Sequence, residues 1–339
     1  MNGPTNPPPR PWWRQWLPAT VVSVLLIGLL LTQVRDWRDI VTALQRISPL
    51  ALGTALVGYL ALSLVRATRF RLLLPRCSTP FYVLWNVTCV HTLANYVLPA
   101  RSGELTYIAL LRARGVSMAD GLASLALARL LDLAALAALV LLAVALASER
   151  QVELTLLRWF SLALGVTMLV VLLWADRLAG LIVRALTRAA GRLGIAQWKP
   201  VRWGLAGVGR TAVSLGAFAR ARGLYAVTMA LSLLQWAVNF AVYYALLNGL
   251  GLRIDPSGTV IASSIASLVA VLPVQGLIGF GTYEAGWTVG LVPLGFAHSL
   301  AIVIGFSIHI LMLVLSMLQA GLSLSLTWLI RRVSMETRV

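Results

Sequence analysis

Charged residues and cysteines are scarce in this chain of 339 residues. Only 12% of its residues are charged, which is about half of the usual share in a soluble domain, while 59% are hydrophobic. The mean hydropathy is +0.86. This composition excludes an ordinary soluble globular protein and indicates an all-α polytopic membrane protein.

Cys77 and Cys89 are the only cysteines, so the sequence has no disulfide framework and no set of metal ligands. A glycine-rich loop followed by Lys and a helix, which nucleotide sites need, is also missing. We therefore expect no metal, no cofactor and no redox chemistry.

Six apolar stretches are long enough, or nearly so, to cross a hydrocarbon core that needs about 20 helical residues. They are residues 17–34, 50–65, 121–147, 156–175, 224–252 and 298–330. The Pro-rich segment 1–16 shows no signal-peptide cleavage site, so it is predicted to be a disordered tail. The membrane domain is predicted over 17–330, and a second tail over 331–339.

Two further segments, 81–98 and 258–281, are hydrophobic but interrupted by polar residues, Pro and Gly. If both cross the membrane, Lys and Arg divide 12 against 15 between the two sides. If both enter and return on the same side, the division is 21 against 6. Because cytoplasmic loops collect Lys and Arg, we expect two re-entrant hairpins, six full spans and both termini in the cytoplasm.

One pattern occurs twice in the chain. Glu104 is followed by Gly115 after 11 residues and by Arg129 after 14 more, and Glu284, Gly295 and His309 repeat these intervals. This phase indicates a duplication with cores at about 81–147 and 258–330. Three spans separate the two hairpins, so the repeats are predicted to be inverted, as in many transporters. Helix breaks are expected at Pro99, Gly103, Pro273, Gly276, Gly279 and Gly281.

Ionisable and amide side chains within the apolar segments are the candidate substrate-binding residues, because each is costly inside a bilayer unless paired or hydrated. Arg129 and Asp132 are spaced for an ion pair within one helix, and equally for contact with a head group. Each Glu either caps its helix or binds a substrate group. His309 either packs in the core or faces a cavity shared with Arg129. The candidates are Asn95, Arg101, Glu104, Arg129, Asp132, Glu284 and His309. No catalytic set is apparent.

Residues 176–222 contain nine Lys or Arg. Arg184, Arg188 and Arg192 lie four residues apart, opposite apolar positions, so they predict a basic amphipathic helix on the cytoplasmic leaflet. It either anchors the topology or binds anionic lipid head groups. Aromatic residues are not interleaved with these charges, so we expect no nucleic-acid binding.

Four motifs together resemble the transmembrane region of lysylphosphatidylglycerol synthases. They are NYVLPARSGE at 95–104, RARGVS at 112–117, RLLD at 129–132 and the Gly-rich stretch from Pro273 to Glu284. Ala128 departs from the family, which often has Glu before the Arg. The resemblance implies a flippase-like domain of the prokaryotic inner membrane, here without an aminoacyltransferase domain.

The resemblance implies that the function is translocation of a polar lipid head group between leaflets, with a membrane phospholipid or another polar lipid as the partner. Two other hypotheses remain at this stage. One is an intramembrane enzyme acting on a lipid pyrophosphate, and the other is an accessory subunit in lipid or cell-envelope glycan biosynthesis. A homo-oligomer is left open.

Overall fold

The computed structural model describes residues 38–74, 77–98, 102–146, 174–198, 221–270 and 277–336, with scattered positions between 159 and 213. These residues form helices and no strand. In chain order the helices are α1 (Arg38–Arg46), α2 (Pro49–Leu73), α3 (Phe81–Val97), α4 (Gly103–Arg112), α5 (Met118–Leu146), α6 (Ala175–Arg192), α7 (Arg222–Gly249), α8 (Pro256–Val269), α9 (Thr282–Leu291) and α10 (His298–Glu336). A 3-10 turn, Leu277–Gly279, precedes α9.

Four helices in the described part are long and apolar enough to cross a membrane: Pro49–Leu73, Met118–Leu146, Gly223–Gly249 and His298–Val333. They coincide with the spans predicted at 50–65, 121–147, 224–252 and 298–330. The tail predicted at 1–16 and the span predicted at 17–34 lie outside the described residues, and only scattered positions of the span predicted at 156–175 are described. The protein is an all-α polytopic membrane protein.

The first long helix extends further than predicted. The span predicted at 50–65 leaves Arg66, Arg69 and Arg71 in the connection to the segment 81–98, but α2 continues through Leu73 and contains all three. Only Arg71 serves the helix end, where it donates to the carbonyls of Cys77 and Thr79. At the other end of the chain, α10 continues to Glu336, into the segment predicted as a tail.

Helices α2 and α8 begin with the same local chemistry. Ser48 accepts a hydrogen bond from the Ala51 N–H at 3.1 Å, and Asp255 accepts one from the Gly258 N–H at 3.2 Å. In each case Pro follows the capping residue, where a missing N–H costs nothing because the first helical N–H groups have no intrahelical partner. The sequence therefore specifies both starting points locally.

Two pairs of short helices lie between the long ones. We call α3 with α4 the first helix pair and α8 with α9 the second helix pair; in each, the two helices pack against one another. Helices α3 and α8 have 17 and 14 residues. At 1.5 Å per residue they reach about 25 and about 21 Å, which is less than the roughly 30 Å of a hydrocarbon core.

Helices α4 and α9 end in the same backbone turn. Gly115 and Gly295 both have left-handed backbone, with φ of 83° and 90°, respectively. In both turns the glycine N–H donates to the carbonyl three residues earlier, and the following N–H donates to the carbonyl five residues before it, at 3.0 to 3.4 Å. The next helices start at Met118 and His298. Met118 therefore lies as many residues after Glu104 as His298 lies after Glu284.

Packing between the two halves is reciprocal. Helix α10, which follows the second helix pair, packs on α3 of the first pair, and α5, which follows the first pair, packs on α8 of the second. Helix α7 runs along α2 and also contacts α5. The largest buried cluster joins residues of α2, α5, α7, α8, α9 and α10, and a second joins residues of α2, α3, α4 and α5.

Candidate functional site

Glu284 and His309 form a fully buried pair between α9 and α10. His309 Nδ1 lies 2.6 Å from Glu284 Oε1, and both side chains are at most 1% exposed. The other carboxylate oxygen accepts the Gly281 N–H at 2.6 Å, so Glu284 caps α9 and holds His309 at the same time. Gly305 permits this contact, because a Cβ there would lie 3.1 Å from Glu284 Cα.

Glu104 and Arg129 form the corresponding pair between α4 and α5. Arg129 Nη2 donates to Glu104 Oε1 at 2.7 Å. This pair is more open, with the Arg129 and Glu104 side chains 36% and 28% exposed. In both pairs the partners are 25 residues apart in the chain, as the repeated spacing of the sequence requires.

Asp132 does not pair with Arg129 within α5, which was one of the two interpretations of that spacing. It binds Arg69 of α2 instead, through contacts of 2.5 and 3.2 Å between the guanidinium and the carboxylate. Gln235 of α7 donates to the same carboxylate at 3.0 Å, and Arg69 also donates to Ser232. Three helices are thus joined by one buried polar network.

Arg129 and His309, the partners of the two Glu residues, and the Arg69 network line one cavity of about 200 Å³. The long helices and the two helix pairs all contribute to its wall. Arg129 and His309, whose equivalent positions predicted a shared cavity, both line it. The lining residues are Arg66, Arg69, Phe70, Thr88, His91, Thr92, Asn95, Tyr96, Leu125, Ala128, Arg129, Asp132, Gln235, Trp236, Asn239, Tyr243, Ser267, Ala270, Gly279, Tyr283 and His309.

Asn95 belongs to this wall together with a neighbour on the same helix. Its Nδ2 lies 2.8 Å from His91 Nε2, and the two side chains are one helical turn apart on α3. Gly103, predicted as a break, is the first residue of α4 and touches α3 at this point. A Cβ on Gly103 would lie 2.5 Å from backbone atoms of Ala94 and Asn95, so only glycine allows this approach.

Gly279 and Gly281 lie at the break that precedes α9, with φ of 71° and 90°. Gly279 faces the imidazole of His309, since a Cβ built there would lie 3.6 Å from His309 Nε2. Left-handed backbone is accessible to glycine without a steric penalty, which suits both residues to this sharp entry into the helix. The other predicted site and break residues, Pro99, Arg101, Pro273 and Gly276, lie outside the described residues.

Sequence reasoning missed Arg66, Arg69, Gln235 and Asn239, all of which line the cavity. The two arginines were treated as loop residues because Arg normally marks a membrane boundary. Helical spacing was the sequence signal that could have located the two arginines in the helix. One buried stripe on α2 is formed by Tyr59, Leu62, Arg69, Phe70 and Leu73. In the part of the chain that the structure describes, no three His, Cys, Asp or Glu side chains are grouped to hold a metal ion.

Comparison with protein families gives a match to the lysylphosphatidylglycerol synthase TM region over residues 16–320. The chain belongs to this family. It is thus a multi-pass membrane protein with a lipid-related function. The search of curated proteins found no match. In this member of the transmembrane-region family, the two Glu pairs and the Arg69 network all lie at one cavity.

Proposed function

We propose that this family member is a lipid translocase that moves a polar or charged head group between leaflets by alternating access. The observation that carries the proposal is the cavity between the two helix pairs, which is lined by Arg, Asp, His and amide side chains. Most of the surrounding domain is apolar. A polar chamber at this position suits a head group whose acyl chains remain in the bilayer.

The charged groups support a transport pathway because burying a charge within a membrane costs free energy. A charged side chain at the centre of a bilayer costs several kcal/mol unless it is paired or hydrated, and such groups mark substrate and ion pathways. Here the side chains of Arg69, Asp132, Glu284 and His309 are each at most 10% exposed, and each has a partner. Apolar residues would pack equally well at these positions, so packing alone does not explain the charged side chains.

The two helix pairs are the proposed moving elements. Each consists of short helices around a break, each is followed by a long helix, and each contributes a Glu bonded to that long helix. We propose that they are inverted, re-entrant hairpins that open the cavity to opposite leaflets in turn. Broken helices that meet near the midplane are typical of alternating-access transporters.

The basic segment is a proposed contact with anionic lipid head groups of the inner leaflet. Helix α6 carries Arg184, Arg188 and Arg192 at intervals of four residues, which places them along one face; all three side chains are exposed. Each such charge near an anionic surface contributes about 1 kcal/mol of attraction. We place this helix, and both termini, on the cytoplasmic side of a prokaryotic inner membrane.

The direct test is a two-leaflet assay in proteoliposomes with fluorescent lipids of several head-group classes. Glu104→Gln breaks the open pair with Arg129, and we expect transfer to fall at least tenfold while the protein remains folded and inserted. Asp39→Asn is the matched control, because Asp39 is an exposed carboxylate on α1, away from the cavity lining.

Wild-type transfer rates in both Glu104→Gln and Glu284→Gln would reject the translocase. Release of inorganic phosphate from a polyprenyl pyrophosphate by the purified protein would instead support the intramembrane enzyme. If no lipid is transferred and no phosphate is released, the accessory-subunit interpretation gains support.

A further inference from the structure

Every carboxylate at the cavity is already bonded. Asp132 accepts from Arg69 and Gln235, and Glu104 accepts from Arg129. Glu284 is held by His309 and by a backbone N–H. A cationic head group entering the cavity therefore meets no free negative charge among the described residues.

Among the described charged residues that line the cavity, Arg66 alone has no carboxylate partner. It lies on α2 three residues before Arg69, is half-buried and lines the cavity. No hydrogen bond or ion pair of its guanidinium is found within the described ranges, whereas Arg69 and Arg129 each hold a carboxylate. The charge available to a ligand at this site is positive.

The surroundings of Arg66 suit oxygen acceptors. Tyr96 and Tyr243 line the cavity together with Arg66. Guanidinium and hydroxyl groups are donors, and guanidinium matches the oxygens of a phosphate in two parallel hydrogen bonds.

Three aromatic rings next to the cavity do not offer a site for an ammonium group. Rings can hold such a cation against their faces, but Phe280, Tyr283 and Tyr96 surround His309. The centroids of Phe280 and Tyr283 lie 4.6 and 4.5 Å from the imidazole, and Tyr96 lies at 6.4 Å. The imidazole already fills the space between them.

The cavity also limits the size of the ligand. A cavity of about 150 Å³ holds a benzene ring. The volume of about 200 Å³ found here is therefore suited to a compact head group rather than to a lipid-linked oligosaccharide.

We propose that the cavity selects net-anionic lipids with a compact head group and binds the lipid phosphate at Arg66, in preference to aminoacylated, cationic lipids. This inference rests on the proposed function and names its substrate class. The bound group is a phosphate diester or monoester attached to acyl chains.

The test measures binding to the purified full-length protein by native mass spectrometry. The probes are short-chain phosphatidylglycerol, its lysyl ester, the matching diacylglycerol and inorganic phosphate. We expect phosphatidylglycerol to bind at least tenfold more tightly than the other three. The diacylglycerol lacks the phosphate, inorganic phosphate lacks the acyl chains, and the lysyl ester adds ammonium groups that meet no free carboxylate among the described residues.

Arg66→Gln should reduce phosphatidylglycerol binding about tenfold or more, and Arg66→Lys should restore part of it. Arg46→Gln removes the same charge from an exposed position at the end of α1, outside the cavity lining, and should leave binding unchanged. Because Arg66 bonds to no described side chain, its substitution is expected to leave the elution profile and thermal stability of the protein near wild type.

Equal or tighter binding of the lysyl ester, or an Arg66→Gln variant that binds like wild type, would overturn the inference. Binding of inorganic phosphate as tight as that of the lipid would assign the site to a soluble anion and also overturn it.

The two-leaflet assay separates this result from the proposed function: transfer of the lysyl ester but not of phosphatidylglycerol would leave the translocase standing and remove only the anionic substrate class. Phosphatidylglycerol binding at Arg66 without transfer of any lipid would reject the translocase and leave the binding preference for anionic lipids standing.

Discussion

The Arg69–Asp132 pair and the Glu104–Arg129 pair differ in how deeply they are buried. The side chains of Arg69 and Asp132 are 3% and 10% exposed, and the two residues, on α2 and α5, are 63 positions apart in the chain. The pair of Glu104 and Arg129 is about one-third exposed. A buried ion is costly to leave alone, whereas an exposed pair contributes little to stability.

Asp132→Asn should therefore destabilise the protein by about 3 kcal/mol, because Arg69 would stay buried without a counter-charge. Thermal unfolding in detergent measures this as a lower unfolding temperature. The double variant Arg69→Met, Asp132→Leu should recover much of the loss, since it removes both charges and retains side-chain volume. A single variant as stable as wild type would show that the pair contributes no stability.

At the scale of the helices, the second helix pair depends on close backbone contact between α8 and α9. A Cβ on Gly290 would lie 2.5 Å from the Ala262 carbonyl oxygen, and one on Gly286 would lie 3.0 Å from Ala266 Cα. Small residues let helix backbones approach in this way within membranes. The contact positions α9, and hence Glu284, against the cavity.

Gly290→Ala should separate these two helices and destabilise the protein by about 1–3 kcal/mol, the usual cost of overpacking. Gly53→Ala is the control, because Gly53 is exposed on α2 and a Cβ there meets no atom within 4 Å. The control should be neutral or more stable by up to about 1 kcal/mol, as Ala favours helix. Equal unfolding temperatures for both variants would argue against the close contact.

For the molecule as a whole, the orientation of the two helix pairs in the membrane is the main prediction. In the proposed topology, the turn after α4 is cytoplasmic and the turn after α9 faces the opposite side. The division of Lys and Arg supports it: even without Arg66, Arg69 and Arg71, which lie on α2, it is 18 against 6.

Cysteine accessibility labelling tests this topology directly. In a variant without Cys77 and Cys89, Arg114→Cys and Ala297→Cys place exposed thiols in the two turns. Arg188→Cys on α6 marks the expected cytoplasmic side. We expect a membrane-impermeant reagent to label Arg114→Cys and Arg188→Cys from one face and Ala297→Cys from the other. Labelling of both turns from the same face would exclude inverted helix pairs.

The sequence by itself determined the membrane class and the four long spans, because hydropathy summed over about 20 residues is a strong local signal. It also determined the equivalent positions of the two Glu residues and their partners. Glu, glycine turn and long helix follow one another at fixed intervals, so each partner returns to its Glu across a single turn.

Only the tertiary structure decided which charges are paired and which remain available. Arg66 and Arg69 look alike in the sequence, as loop charges near a membrane boundary. Arg69 is neutralised by Asp132 from α5, and Gln235 from α7 joins the same network, whereas Arg66 lines the cavity without a described counter-ion. The physical reason is that a buried charge is tolerated only with a partner, and these partners come from helices far apart in the chain.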